Sequence, residues 1–250
     1  MSLSDAQLDR YARQIILKEF GGEGQRRVVA AKVVVIGAGG IGSPAIQYLA
    51  AAGIGSLTII DDDQVELSNL HRQTLYDTRD VGLPKARRAA ERVVALNPDI
   101  AVEFSVTRIG ADTARKLLDG ADVALDGSDN FATRLAVADA ALSLHVPLVS
   151  AAVSEFEGQL AVYRGWEPGK PCYRCLVGSE PDRAARSCAD LGVLGPVAGM
   201  IGSLAALEAI RLITGFGEDS AGKLLLVHAL TLRSRTVRLR KDPGCPACAA

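Results

Sequence analysis

The chain has 250 residues, 48% hydrophobic and 23% charged, enough apolar material for one large domain or two small ones. A net charge of −1 and a pI of about 6.3 leave no global basic footprint for nucleic acid. The opening residues, MSLSDAQLDRYARQ, lack a basic segment followed by an apolar core, so no signal peptide is expected. The longest uncharged run, 191–207, is interrupted by glycines and Pro196 and reads as a buried helix rather than a membrane span. A cytoplasmic protein that engages neither membrane nor nucleic acid is expected.

In chain order, residues 8–20 (LDRYARQIILKEF) have the spacing of one amphipathic helix. The apolar run 32–36 suits a parallel strand buried on both faces, and 41–52 read as the helix after it. A second strand covers 56–61. A helix over 84–97 places Pro84 in its first turn. Strands over 100–107 and 122–125, a helix over 130–144 and a strand over 146–153 follow. This alternation predicts a parallel sheet with right-handed crossovers. The pattern then changes. A strand over 158–164 follows its predecessor almost directly, a helix covers 196–214, and 223–230 with 234–240 read as an antiparallel hairpin around 231–233. The predicted fold is α/β: a Rossmann-like mixed sheet flanked by helices, parallel in its N-terminal half and antiparallel in its C-terminal half. It forms one domain over 1–250.

Gly37, Gly39 and Gly42 (GAGGIG) follow a strand and open a helix. Such a loop lets a phosphate approach the backbone, and the helix N-terminus offers it free N–H groups. Asp61 ends the second strand, placed to accept a hydrogen bond from a ribose hydroxyl. Alternatively, Asp61, Asp62 and Asp63 form a solvated acidic turn. These features do not separate NAD from ATP. A dehydrogenase needs a catalytic acid or base, and none of the three histidines stands in such a constellation. His71 is in a polar loop and His145 at a helix end. His228 lies in an apolar strand and reads as structural.

Asn69, Arg72 and Gln73 cluster beyond the second strand's C-terminal end, the edge where ligands bind in open α/β sheets. Lys85 falls in the first turn of a helix, where a cation opposes the helix dipole. Either an anion compensates it or it is an ordinary surface lysine. Asp126 and Asp129 (DGSDN) lie at the same sheet edge. Asp129 either caps the next helix or holds Mg²⁺, and the pattern favours the cap.

The motifs RYARQ (10–14), GAGGIGS (37–43), DDDQVELSNLHRQ (61–73), GLPKA (82–86), DGSDN (126–130) and CYRC…CPAC resemble, in order and over nearly the whole chain, the MoeB/ThiF/HesA family. These are bacterial relatives of ubiquitin-activating enzymes. The resemblance implies ATP-dependent adenylation of the C-terminal Gly-Gly carboxylate of a ubiquitin-like sulfur carrier. It implies that the Gly40 loop contacts the phosphates and Asp61 the ribose. Asn69, Arg72 and Lys85 contact the triphosphate and Asp129 binds Mg²⁺. Gly39, Asp63, Gln73 and Asn130 complete the expected nucleotide contacts. Arg13 is expected to reach the neighbouring subunit's site in a homodimer. Residues 1–155 form the nucleotide-binding half and 156–250 the half for the carrier and zinc.

A C-terminal carboxylate, with a pKa of about 3.5, is already ionised, so its attack on phosphorus needs no general base. The obstacle is bringing an anion to a polyanion. Arg13, Arg72, Lys85 and Mg²⁺ are the remedy. The stretch 187–210 resembles the MoeB type, which implies the carrier of molybdopterin synthase. Activation of the thiamine thiazole carrier is the alternative. An NAD-dependent oxidoreductase and a non-catalytic carrier-binding module are the other readings. An NAD enzyme has no use for Arg72 paired with Lys85, and a mere binder need not keep these charges.

Four of the five cysteines form two C-x-x-C pairs, Cys172/Cys175 and Cys245/Cys248, a signal for structural Zn²⁺. A redox pair would open a helix after a strand, and neither does. Cys188 is left over. It is either an ordinary loop thiol or a nucleophile that meets the activated carrier, with Arg183 and Arg186 lowering its pKa. Sulfur is otherwise expected from a separate persulfide donor protein, because the chain ends at CPACAA without a sulfurtransferase domain.

Overall fold

A computed structural model describes residues 3–178 and 192–249. Cys188, Arg183 and Arg186 therefore lie outside the described residues. One eight-stranded sheet organises the chain. In sequence order the strands are β1 (Lys32–Ile36), β2 (Ser56–Ile60), β3 (Ala101–Ser105), β4 (Val123–Asp126), β5 (Leu148–Ser154), β6 (Glu157–Tyr163), β7 (Lys223–His228) and β8 (Arg233–Arg238). Their spatial order is β3-β2-β1-β4-β5-β6-β7-β8. Strands β3 to β5 across that order are parallel, and β5 to β8 are antiparallel. Order reverses between β1 and β4, the switch point at which α/β sheets bind ligands.

The expected strand at 32–36 forms with those bounds, because its valines are buried on both faces. Helices α4 (Gly42–Ala52), α5 (Lys85–Leu96), α6 (Ala111–Leu118) and α7 (Phe131–Leu144) connect the parallel strands. Gly42 sits where any Cβ would lie 1.9 Å from the Gly37 carbonyl oxygen, so only glycine lets α4 start this close to β1. Helix α8 (Arg174–Val177) is a single turn, and α9 (Gly195–Thr214) packs on α4 and β5. Helix α9 has the length and hydropathy of a span, yet Val197, Ala198, Ile201, Ala205 and Ala209 are buried in the core. A Cβ at Gly202 would lie 2.2 Å from the Ile41 carbonyl oxygen, the close approach that lets α9 bear on the glycine loop.

Two expectations are corrected. Residues 8–20 do not form one helix. Helix α1 (Asp5–Arg10), capped by Ser4, stops at Tyr11, and α2 (Ala12–Ile15) follows. The break buries the Tyr11 ring, whose hydroxyl accepts from Asn97 Nδ2 at 2.8 Å. A further helix, α3 (Gly21–Ala30), precedes β1. His228 is half-exposed in its strand and makes a local contact, Nδ1 to Thr231 Oγ1 at 3.1 Å. Asp129 does not cap α7. Asn130 does, its Oδ1 accepting from the Thr133 N–H at 2.9 Å.

Candidate active site

A cavity of about 730 Å³ opens at the C-terminal ends of β1, β2 and β4. The glycine loop forms its floor. No side chain caps α4, and the N–H groups of Gly39, Gly40 and Ile41 have no acceptor among the described residues. They are left for an anion. Asp61 braces the loop: Oδ2 accepts from the Ala38 N–H at 2.7 Å and Oδ1 from the Asp63 N–H at 2.9 Å. Burial pushes the Asp61 carboxyl above its usual range, against the pull of Lys85 and of those two N–H groups. Each carboxylate oxygen keeps a lone pair for a ligand hydroxyl.

The crossover from Asp61 to Lys85 is a fixed structure. Val65 donates to the Leu83 carbonyl at 2.9 Å, and Gly82 to that of Val65 at 2.8 Å. The buried Asp80 carboxylate binds Arg88 at 2.6 Å and Arg92 at 3.1 Å, locking the turn Thr78–Asp80 to α5. The Tyr76 hydroxyl lies 2.9 Å from the Ala38 carbonyl, to which it donates, and 3.3 Å from the Lys85 carbonyl. It thus ties the glycine loop to the start of α5.

Lys85 is the first residue of α5, and it is buried rather than on the surface. Its N–H donates to the Asp63 carbonyl at 2.9 Å and its Nζ to Asp63 Oδ2 at 3.0 Å. Arg72 lies beside the loop: its Cγ would be 3.6 Å from a Cβ at Gly40. Arg72 Nη1 donates to the Ser68 carbonyl at 3.0 Å. Asn69 and Gln73 are buried, and Asn69 Oδ1 and Gln73 Oε1 lack partners. Gln73 Nε2 faces Gly39. Buried amides left this incomplete suit a polar ligand.

The cavity therefore brings together Gly39, Gly40, Asp61, Asp63, Asn69, Arg72, Gln73, Lys85, Asp129 and Asn130. Asp129 is exposed at the rim, free of helix capping. Asp126 turns inward instead and accepts from the Ser128 N–H at 2.9 Å. Arg13 does not reach this cavity; it is exposed on α2. Sequence reasoning missed Arg134, a buried guanidinium on α7 that binds the carbonyls of Ser128 and Ala151 and lines the cavity. It also missed Tyr173 and Gln159, which extend the cavity to β6. Arg134 sits one turn into a helix whose cap marks the site, a spacing that could have flagged it.

The four paired cysteines converge although 73 residues separate the pairs. Their Sγ atoms lie within 4.8 Å of one another, with contacts of 3.4, 3.6 and 3.9 Å. Four thiolates around Zn²⁺, each Zn–S bond about 2.3 Å, would stand about 3.8 Å apart. Backbone donors surround them: Asp242 N–H points to Cys175 Sγ at 3.4 Å, and the N–H groups of Ala247 and Cys248 point to Cys245. The set suits a closed tetrahedral metal.

A model of the ThiF family matches residues 11–247. A sulfur carrier protein adenylyltransferase of Thermus thermophilus is 47% identical, with 99% of this chain and 93% of the relative covered. The ThiS adenylyltransferase of Escherichia coli K12 is 42% identical (98% and 97% covered), and its molybdopterin-synthase adenylyltransferase 40% (98% and 98%). Among solved structures, Escherichia coli MccB with ATP superposes with a TM-score of 0.84 at 26% identity, covering 96% of this chain and 75% of that one. With the family model matching residues 11–247 and these relatives 40–47% identical along nearly the whole chain, the chain belongs to the ThiF family.

Proposed function

We propose that this protein is an ATP-dependent adenylyltransferase acting on the C-terminal carboxylate of a ubiquitin-like sulfur carrier that ends in Gly-Gly. One carboxylate oxygen attacks the α-phosphorus, the bond to the β-phosphate oxygen breaks, and acyl-AMP and pyrophosphate result. No proton moves, because the nucleophile is already ionised at neutral pH. The observation that carries this reading is the buried Lys85, gathered with Arg72 against one glycine loop. NAD binding gives these cations no task.

The roles follow from position. The glycine-loop N–H groups, Asn69, Arg72, Gln73 and Lys85 bind the triphosphate, and Asp61 the ribose. Asp129, with Asn130 beside it, would hold Mg²⁺, which supplies charge neutralisation as pyrophosphate leaves. Cys172, Cys175, Cys245 and Cys248 would hold Zn²⁺ structurally, with no position left open. The exposed Arg13, next to exposed Ile16 and Leu17 and with no ion pair among the described residues, supports a homodimer in which it serves the partner's site. Transfer through Cys188 or from a persulfide donor would follow adenylation, in the cytoplasm.

The favoured carrier is the small subunit of molybdopterin synthase; the thiamine thiazole carrier is equally supported by the relatives. ATP–pyrophosphate exchange with each purified carrier tests both. Exchange with one alone identifies it, and exchange with neither refutes the proposal.

A further inference from the structure

Past Asp61 the cavity continues to a wall formed by the loop after β3. Ile109 is buried there, and its carbonyl accepts from Thr133 Oγ1 at 3.3 Å, which anchors the loop to α7. The neighbouring Arg108 also lines the cavity, but its side chain is 70% exposed. One contact orients it: Nε donates to Asp62 Oδ2 at 2.9 Å. Its two terminal nitrogens have no partner among the described residues.

The three consecutive aspartates work as a ruler along the cavity. Asp63 reaches Lys85, Asp61 is bonded to the glycine loop, and Asp62 turns to Arg108. A nucleotide with its phosphates at the glycine loop and its ribose at Asp61 has its base at the Arg108 end. A guanidinium is planar and stacks on aromatic faces, and a carboxylate gripping Nε fixes the direction of that plane. An exposed pair of this kind adds little to stability, so folding alone does not account for a cation on the cavity wall.

We propose that Arg108, oriented by Asp62, stacks on the nucleobase of the bound nucleotide and supplies affinity for the base separately from the phosphate-binding set. This inference rests on the nucleotide reading of the cavity. Full-length wild type, Arg108→Ala and Arg108→Lys are titrated by calorimetry with Mg-ATP and with Mg-tripolyphosphate, which lacks the base. Arg108→Ala should weaken ATP about fivefold to tenfold and tripolyphosphate less than about twofold. Arg108→Lys keeps the charge but not the plane, and should recover less than half of the loss. Equal weakening of both ligands, no weakening of ATP, or recovery by lysine of half the loss or more overturns the proposal. Wild type that binds tripolyphosphate as tightly as ATP also overturns it, with the phosphate site intact. Wild type that binds neither refutes the nucleotide reading itself, and this inference with it.

Discussion

Lys85 is placed for a ligand at the expense of the fold, and replacing it separates the two. Its side chain is 6% exposed, its partner Asp63 is 60% exposed, and it begins a helix. A cation in the first turn of a helix costs about 0.3–1 kcal/mol. An ion pair with a partner that open to water returns at most about 1 kcal/mol. Enclosing the ammonium costs several kcal/mol more, offset in part by Asp61. Lys85→Met keeps the length and the apolar contacts and removes the charge. Without nucleotide the variant should be as stable as wild type or more stable by about 1 kcal/mol, a rise of about 2–4 °C in a chain of this size. Turnover should fall about 10²–10³-fold, the loss typical of one transition-state donor. Removing the cation also raises the Asp61 carboxyl further. Saturating Mg-ATP at 100 times Kd stabilises the wild type by about 2.7 kcal/mol, and that gain should shrink in the variant. Thermal unfolding with and without nucleotide, beside pyrophosphate exchange, reads all of this. A variant that melts several degrees lower without nucleotide yet exchanges at the wild-type rate would refute the reasoning.

Gly42→Ala forces a Cβ against the Gly37 carbonyl and should lower stability by at least about 3 kcal/mol. Gly39→Ala, which meets only the flexible Gln73 amide, should fold normally in the same denaturation series. Asp80→Asn should cost about 2 kcal/mol at pH 7 in urea unfolding, below the usual 3–5 because Arg88 and Arg92 are partly exposed. Burial pushes the Asp80 carboxyl up, but the Asp77 N–H, Arg88 and Arg92 together hold it below its ordinary value. Its stabilisation is therefore present above the unfolded pKa of about 3.9 and lost as pH falls through the folded one, so the difference should narrow at about pH 3. Cys245→Ser should abolish stoichiometric zinc by metal analysis and lower the melting temperature. ATP affinity should persist, because none of the four cysteines lines the nucleotide cavity; equal stability with and without metal would contradict the structural role.

The legible parts of the sequence were those where one force acts alone. The valines of β1 are buried on both faces, so an unbroken apolar run gave its bounds. The C-x-x-C pairs were readable because thiolate chemistry sets their spacing whatever the fold between them. Helix α3 was not readable, since it begins GGEG, a poor local helix former. It is held instead by burial of Gln25 and Val28 and by contact with α9. The Tyr11 break was hidden because a long-range partner, Asn97, decides it. Asp129 and Asn130 are both good caps, and only the backbone at 130 chooses between them. For Lys85 the pattern could register the wrong sign at a helix start but not the burial, which depends on how the crossover folds back over Asp63.

The two halves of the sheet meet in the site rather than dividing its work. Ala198 of α9 lies against Gly40, so the C-terminal half closes the phosphate end of the cavity. On the β6 side the wall includes Tyr173, which lies between Cys172 and Cys175 and packs edge-on against Tyr163 of β6. Arg134 bridges the two, binding the Ser128 carbonyl after β4 and the Ala151 carbonyl in β5. Among the described residues, Tyr173 thus links the four cysteines to the wall of the cavity. That geometry holds the cations in place before ATP arrives, Lys85 on Asp63 and Arg72 on the Ser68 carbonyl, while the β6-side wall rests on a separate clasp. A site that needs no base can be built this way, because charge placement is all the nucleotide end must supply.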